Sequence, residues 1–233
     1  MSTITPDDLA LLTAWDTPTI CNALEIVVPE RRATGFTTGA FTVLDAKLPP
    51  VIGRARTATI RATTPPEESA DAVKSRRARY YEYVADASGG TIAVIEDLDA
   101  APGYGAFWGE VNTAVHRGLG CAGGITNGSM RDLDACAPGF QLLAGKVGPS
   151  HAHVRIVDFG SPVTIFGMRV VHDDIIHADR HGAVVIPEAA VKELPGAVDL
   201  LTRREAVILE AARSGDFDIE KLEKATAGAA DIH

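Results

Sequence analysis

Cysteine is scarce in this chain: Cys21, Cys121 and Cys136 are the only three in 233 residues, too few and too scattered for a disulfide framework or a CxxC metal site. They read as reduced, buried, small apolar residues. The opening Met1-Ser2-Thr3-Ile4-Thr5-Pro6 lacks a basic region with an apolar core behind it, and no window reaches the roughly 18 apolar residues of a spanning helix. A cytoplasmic chain without a membrane partner is expected. Positive charge is in deficit, with 22 Lys and Arg against 31 Asp and Glu, a formal net charge of -9 and a pI near 5.2. That balance disfavours nucleic acid as a partner, and the short run Lys74-Ser75-Arg76-Arg77-Ala78-Arg79 reads as a solvated helix face. GxSxG, GxxxxGK[ST] and HExxH do not occur and no GxGxxG supports nucleotide binding, so nucleophilic-serine, nucleotide-binding and zincin chemistries lack their usual signatures.

What is present is an ordinary globular composition, 46% hydrophobic, with no internal repeat and no Pro, Ser or Gly linker dividing it. The expectation is one α/β domain over 1–233. Thr5-Pro6 and Asp16-Thr17-Pro18 place capping side chains before helix-opening prolines, predicting a helical hairpin at about 6–14 and 18–26 within an N-terminal region of 1–28. Val51 to Thr63 alternates as a half-buried strand, and a helix over 68–85 leads through Gly89-Gly90 into an apolar strand at 91–95. Next come a Gly-rich loop at 100–105, a helix from Phe107 to Arg117, a strand from Cys121 to Thr126 and a turn at Asn127-Gly128. This β-loop-α-β unit predicts parallel pairing. Short strands follow at 141–144, 154–158, 162–166, 168–171, 175–178 and 183–186. Helical sequence then runs from Pro187, with a break at Pro195-Gly196, through a C-terminal helix whose tail, 225–233, is expected to fray.

The chemistry concentrates in two stretches, Phe107-Trp108-Gly109-Glu110 and Arg131-Asp132, with twenty residues between Glu110 and Arg131. A helix followed by a strand returns the chain over that length, so Glu110, Arg131 and Asp132 can meet. The first amides of the helix lack intrahelical acceptors and carry the positive end of its dipole. A small carboxylate or phosphate could therefore approach Gly109, Glu110, Val111 and Asn112. Arg131 can grip a carboxylate or enolate oxygen bidentately, while Asp132 and Glu110 are hard-cation ligands of the kind that hold Mg²⁺. The competing reading needs no metal: Arg131 pairs with Asp132 or Asp134, and Glu110 merely complements the helix dipole. Six of the seven histidines lie between His116 and His181. His151 and His153, two apart on a strand-like segment, could share a face, but without a further ligand motif they read as surface or satisfied residues.

Gly109-Glu110-Val111-Asn112-Thr113-Ala114-Val115-His116-Arg117-Gly118 and Gly123-Gly124-Ile125-Thr126-Asn127-Gly128-Ser129-Met130-Arg131-Asp132 resemble the core of the RraA-like family, which includes the 4-hydroxy-4-methyl-2-oxoglutarate aldolases. Thr17 to Leu24, Gly53 to Thr59, Gly89 to Ile95, Gly160 to Val163 and Asp179 to Pro187 fall in family order. The resemblance implies a swivelling β/β/α domain, an αββα sandwich, assembled as a homotrimer or hexamer. In aldolase members it implies a pyruvate aldolase dependent on Mg²⁺ or Mn²⁺. By position, Asp132 would ligate the metal, Glu110 would hold metal-bound water, Arg131 would grip the 2-oxo acid, and the Gly109–Asn112 amides would take its carboxylate. Glu205 is the candidate for a carboxylate supplied by a neighbouring subunit's C-terminal helix. Asn22 stands where the family has Asp; Arg180-His181 replaces an acidic run, and His172 a common proline.

The implied activity is cleavage of a 4-hydroxy-2-oxo acid to pyruvate, with oxaloacetate decarboxylation as a companion reaction. The alternative within the same resemblance is a noncatalytic regulator that binds a ribonuclease.

Overall fold

The computed structural model describes residues 3–85 and 90–233. The turn expected through Gly89 lies outside the described residues, while Gly90 adopts φ +85° before the next strand. The chain opens with α1 (Pro6–Leu12) and α2 (Thr17–Val27), each with proline in its first turn. Thr5 and Asp8 close a reciprocal capping box on α1, and the Asp16 carboxylate accepts the Thr19 amide on α2. The expected hairpin is therefore present, built by the capping chemistry that predicted it.

Strand β1 (Thr42–Val43), β2 (Val51–Arg61), α3 (Ala70–Ala85), β3 (Thr91–Asp97), β4 (Ala106–Trp108), α4 (Glu110–Gly118), β5 (Cys121–Met130) and β6 (Gln141–Val147) form the first half. Five further strands follow: β7 (Arg155–Phe159), β8 (Val163–Ile165), β9 (Met168–Val170), β10 (Ile175–Asp179) and β11 (Gly182–Ile186). Among the described residues nine strands share one sheet, ordered β1-β6-β5-β3-β2-β10-β11, with β4 beside β5 and β7 beside β2. Its centre is parallel, β2 with β3, β3 with β5 and β5 with β6, as the β3-α4-β5 crossover requires.

Period-two alternation divides the sheet between two cores. Ala93, Ile95, Leu142 and Ala144 meet Tyr80 and Val84 of α3, together with Trp108 and Phe140. Ile92, Val94 and Leu143 face the separate β8–β9 hairpin through Val163, Ile165, Met168 and Val170. α1, α2 and α5 (Leu194–Ala212) pack on Ile175, Val184 and Ile186. The fold is a single mixed α/β domain with a curled sheet. No helix among the described residues is long and apolar enough to cross a membrane.

Three local expectations are corrected. Phe107 and Trp108 form strand β4, buried against β5, and the helix starts only at Glu110. Asn127-Gly128 makes no turn: the Asn127 amide bonds both the N–H and the C=O of Asp97, and β5 continues past an irregularity in its pairing with β6. The break expected near Pro195-Gly196 is present, since a short 3-10 turn at Glu188–Ala190 ends before α5 begins at Leu194 with Pro195 in its first turn. The C-terminal tail is helix α6 (Ile219–Ala230), capped by Asp218, with Ala225 and Ala229 buried and Arg204 donating to the Ile232 carbonyl at 2.8 and 3.0 Å.

Candidate functional site

β4 and β5 run side by side, Trp108 pairing with Met130, so the residues that follow them are delivered to one edge. The Arg131 amide donates to the Trp108 carbonyl at 2.9 Å, and the Glu110 amide donates to Asp132 Oδ2 at 3.3 Å. Glu110, Arg131 and Asp132 therefore meet, as their spacing predicted. Arg131 Nε lies 3.6 Å from Asp132 Oδ2, both side chains about one third exposed. The ion pair of the metal-free reading thus exists, in a form too solvated to be worth much to stability.

Asp132 is held at φ +53°. That left-handed conformation is uncommon outside glycine and clusters at functional sites. Gly109 is the N-cap of α4 and offers no capping side chain. A Cβ there would lie 2.6 Å from Asp132 Oδ2 and 3.1 Å from Arg131 Cγ, so glycine is what lets both side chains close over the helix start. One oxygen of Asp132 substitutes for the missing cap, which leaves the other for a ligand. With no side chain at Gly109 to cap them, the first-turn amides of Val111 and Asn112 keep their positive end for an anion.

The cradle is braced from beneath. The Asn112 side chain accepts from the Tyr81 hydroxyl at 2.9 Å and donates to the Phe107 carbonyl, which fixes the β4–α4 turn. His116 Nδ1 lies 2.7 Å from the Asn112 carbonyl and its Nε2 lies 2.8 Å from the Tyr80 hydroxyl. Because the carbonyl can only accept, Nδ1 carries the proton and the tyrosine donates to Nε2. Burial pulls the His116 pKa down to about 4 despite the favourable Asn112 carbonyl. Asp97 accepts the amides of Gly103 and Asp99, fastening the loop that leads into β4; burial nevertheless raises its carboxyl pKa. Cys136 donates its thiol to the Arg131 carbonyl, and burial raises its pKa, which disfavours the thiolate.

An open cleft of about 430 Å³ lies along this edge, bordered by Gly109, Val111, Asn112 and Arg131. It also contains residues that the sequence reading placed elsewhere. Arg77 was read as part of a solvated helix face, yet it lines the cleft with Val73 and Tyr81 of α3. Their spacing of four residues is the signal that was available, since 73, 77 and 81 share one face while 80 and 84 turn to the core. His151 and His153 line it too. They lie in a turn with Ala152 at φ +46°, so the shared strand face expected of them is absent. His177 is a satisfied core residue between Thr17 Oγ1 and the Leu12 carbonyl, with its pKa lowered by burial. His172 contacts the Tyr83 hydroxyl, and His181 contacts Asp179.

Glu205 is not brought to the cleft within one chain. It lies on an exposed stretch of α5 beside Thr202, Leu209 and Arg213. Among the described residues, no group of three or more His, Cys, Asp or Glu is placed to enclose a metal ion. All three cysteines are free.

No curated protein matches the sequence. Among solved structures, the chain is similar to an uncharacterized protein from Pseudomonas syringae pv. tomato str. DC3000, at 21% identity over 97% of this chain and 96% of that one, with a TM-score of 0.71. A structure described as novel cellulases from microbes associated with the gut ecosystem gives 15% identity, 88% coverage of each chain and a TM-score of 0.70. Streptomyces coelicolor RraAS2, described as an unusual member of the RNase ES inhibitor RraA protein family, gives 20% identity over 92% of this chain and all of that one, with a TM-score of 0.66. At these identities the likeness is one of fold. The sequence model of the RraA-like family, Aldolase/RraA, matches residues 17–185, which is more than half of the protein, and the chain belongs to that family.

Proposed function

We propose that the protein is a divalent-metal-dependent lyase that cleaves a 4-hydroxy-2-oxo acid to pyruvate and a second carbonyl compound, with oxaloacetate decarboxylation as a companion reaction through the same enolate. The observation that carries this reading is the left-handed Asp132, whose carboxylate lies against the bare N-terminus of α4 with Arg131 beside it. The donor set suits Mg²⁺ or Mn²⁺, because Asp132 and Glu110 offer only oxygen, and one or two carboxylates completed by water is a common way to hold such an ion. When bound, the ion would polarise the 2-oxo group and favour the enolate.

The remaining work falls to the chain. The amides of Val111 and Asn112 bind the C1 carboxylate at the positive end of α4. Arg131 presents its planar fork to the 2-oxo oxygen, where negative charge grows as the C3–C4 bond breaks. Glu110 orients the water that takes the 4-hydroxyl proton. Among the described residues no lysine lines the cleft, so a Schiff-base route has no amine at hand there. Glu205 joins the site from a neighbouring copy in a homotrimer or hexamer.

The test is pyruvate release from several 4-hydroxy-2-oxo acids, with Mg²⁺, with Mn²⁺ and with excess EDTA, for the wild type and Asp132→Ala. Metal-dependent turnover that the substitution abolishes supports the reading. Turnover that persists undiminished in EDTA, or release from none of the substrates, overturns it; the second result leaves ribonuclease binding as the reading to pursue.

A further inference from the structure

Asp132 keeps its left-handed backbone, φ +53°, in a stretch with little else to hold it. Asp132, Leu133, Asp134 and Ala135 are all exposed, Leu133 by 44%, so packing of these four side chains does not fix the turn. Hydrogen bonds do. The Asp132 carbonyl accepts the amides of Ala135 at 2.9 Å and Cys136 at 3.0 Å, which closes the turn on itself. A strained residue persists only where its surroundings over-determine it, and a turn bonded only to itself can swing as a unit. Anchors on both sides of Asp132 are required.

The upstream anchor is the Arg131 amide, which donates to the Trp108 carbonyl at 2.9 Å. The downstream anchor is Thr113, a fully buried residue of α4. Its hydroxyl donates to the Gly109 carbonyl at 2.9 Å, with the Glu110 carbonyl 3.0 Å away, and accepts the Ala137 amide at 3.0 Å. The donated bond is routine, because a helical threonine readily turns its hydroxyl onto the carbonyl four residues back. The accepted bond is not. It engages the same oxygen with a segment 24 residues away, and so links the end of the Asp132 turn to Gly109, the residue whose missing side chain admits Asp132 Oδ2. The carboxylate itself takes the Glu110 amide at 3.3 Å, so side chain and turn are both referenced to the start of α4.

We propose that Thr113 is a positioning residue, whose hydroxyl clamps the far end of the 132–137 turn to the start of α4 and thereby sets where the Asp132 carboxylate stands. The assignment rests on the reading of Asp132 as the metal-holding carboxylate of a lyase. Without the hydroxyl the Ala137 amide loses its partner inside the protein. The exposed turn then moves outward to give that amide water, φ at Asp132 relaxes, and the carboxylate is drawn off the helix start. Thr113 touches neither substrate nor metal; it acts through Ala137 and Asp132.

Two substitutions in the full-length protein separate the clamp from packing. Thr113→Val keeps the volume and removes the hydroxyl, whereas Thr113→Ser keeps the hydroxyl and removes a buried methyl, so its melting temperature falls while the clamp survives. The readouts are amide hydrogen exchange over residues 131–137, Mn²⁺ affinity by electron paramagnetic resonance, and kcat and KM for pyruvate release. In Thr113→Val, exchange over 131–137 should be at least about tenfold faster with β3 and β5 unchanged, Mn²⁺ should bind about 10 to 100-fold more weakly, and kcat should fall. Thr113→Ser should stay within about threefold of the wild type in all of these despite its lower melt. Site losses that follow the melt in both variants overturn the proposal, as does a Thr113→Val protein that matches the wild type in exchange and Mn²⁺ affinity. The expected exchange pattern in a protein that binds no Mn²⁺ and releases no pyruvate would leave the clamp standing while refuting the lyase reading. Metal-dependent turnover equal in Thr113→Val and the wild type would do the reverse.

Discussion

Replacing Gly109 with alanine separates the demands of the site from those of the fold. The backbone at 109 is extended, φ -173° and ψ -167°, which any residue adopts, so the substitution costs no backbone strain. It does cost space. The new methyl would stand 2.6 Å from Asp132 Oδ2, against about 3.3 Å for the closest ordinary C···O contact, so the carboxylate must retreat by roughly 0.7 Å. Asp132 can do so, since its side chain is 33% exposed. Stability should therefore fall by no more than about 1 kcal/mol, the difference between glycine and alanine as N-caps, or about 2 to 4 °C in Tm for a chain of this size. A reacting group misplaced by about 1 Å costs on the order of 100-fold in rate, or about 2.7 kcal/mol of transition-state stabilisation.

The measurement is kcat/KM for pyruvate release, coupled to NADH oxidation, together with a thermal melt of the same preparation. Gly124→Ala is the contrasting variant: its methyl would meet the fully buried Trp108 ring at 2.5 Å, where nothing can move into solvent, so it should lose about 1 to 3 kcal/mol of stability. Gly109→Ala activity within fivefold of the wild type would refute the argument that Asp132 must sit against the helix start. A melt lowered as far as that of Gly124→Ala would assign Gly109 to packing.

Three further outcomes are expected. Arg131→Lys should lose nearly as much kcat/KM as Arg131→Ala, because a point charge cannot reproduce the planar fork; wild-type kcat in the lysine variant would reduce Arg131 to its ion pair with Asp132. His116 is buried and neutral with a pKa near 4, below the unfolded value of about 6.5, so between these values the unfolded chain binds the extra proton and stability falls as pH drops, by roughly 3 kcal/mol in all; a melting series from pH 7 to 4 should show this slope diminished in His116→Gln, and an unchanged slope would contradict the assignment. Mixing Asp132→Ala chains with Glu205→Ala chains should restore some activity if the site is shared across a heterologous interface, whereas a fully active monomer in sedimentation would remove Glu205 from the site.

The elements whose ends carry chemical punctuation were legible. Thr5, Asp16 and their prolines announced α1 and α2, and alternation in 51–61 and 91–95 announced the two central strands. Elements set by tertiary contact were harder to read. Phe107 and Trp108 precede a helix and fit its apolar period, yet burial against β5 and a pairing with Met130 make them a strand; Ala225 and Ala229 gain their meaning only when α6 meets α5. Asn127-Gly128 has ideal turn composition, but the Asn127 amide is taken by the Asp97 backbone on the neighbouring strand.

The site divides the same way. Its inner end could be read because a helix and a strand must return the chain to its starting edge, which fixes Glu110 against Arg131 and Asp132 whatever surrounds them. Its outer wall could not be read by proximity in sequence, since Arg77 comes from α3 and His151, His153 and Arg155 from the connection into β7. A run of arginines on a helix looks like a solvated face until another segment, here held by the Ala106–Ser150 and His153–Ala62 backbone bonds, closes the opposite wall. The inner end is thus encoded in local spacing and the outer wall in long-range contact. Substitutions along the outer wall can therefore reshape the cleft without touching the segment that carries the family resemblance.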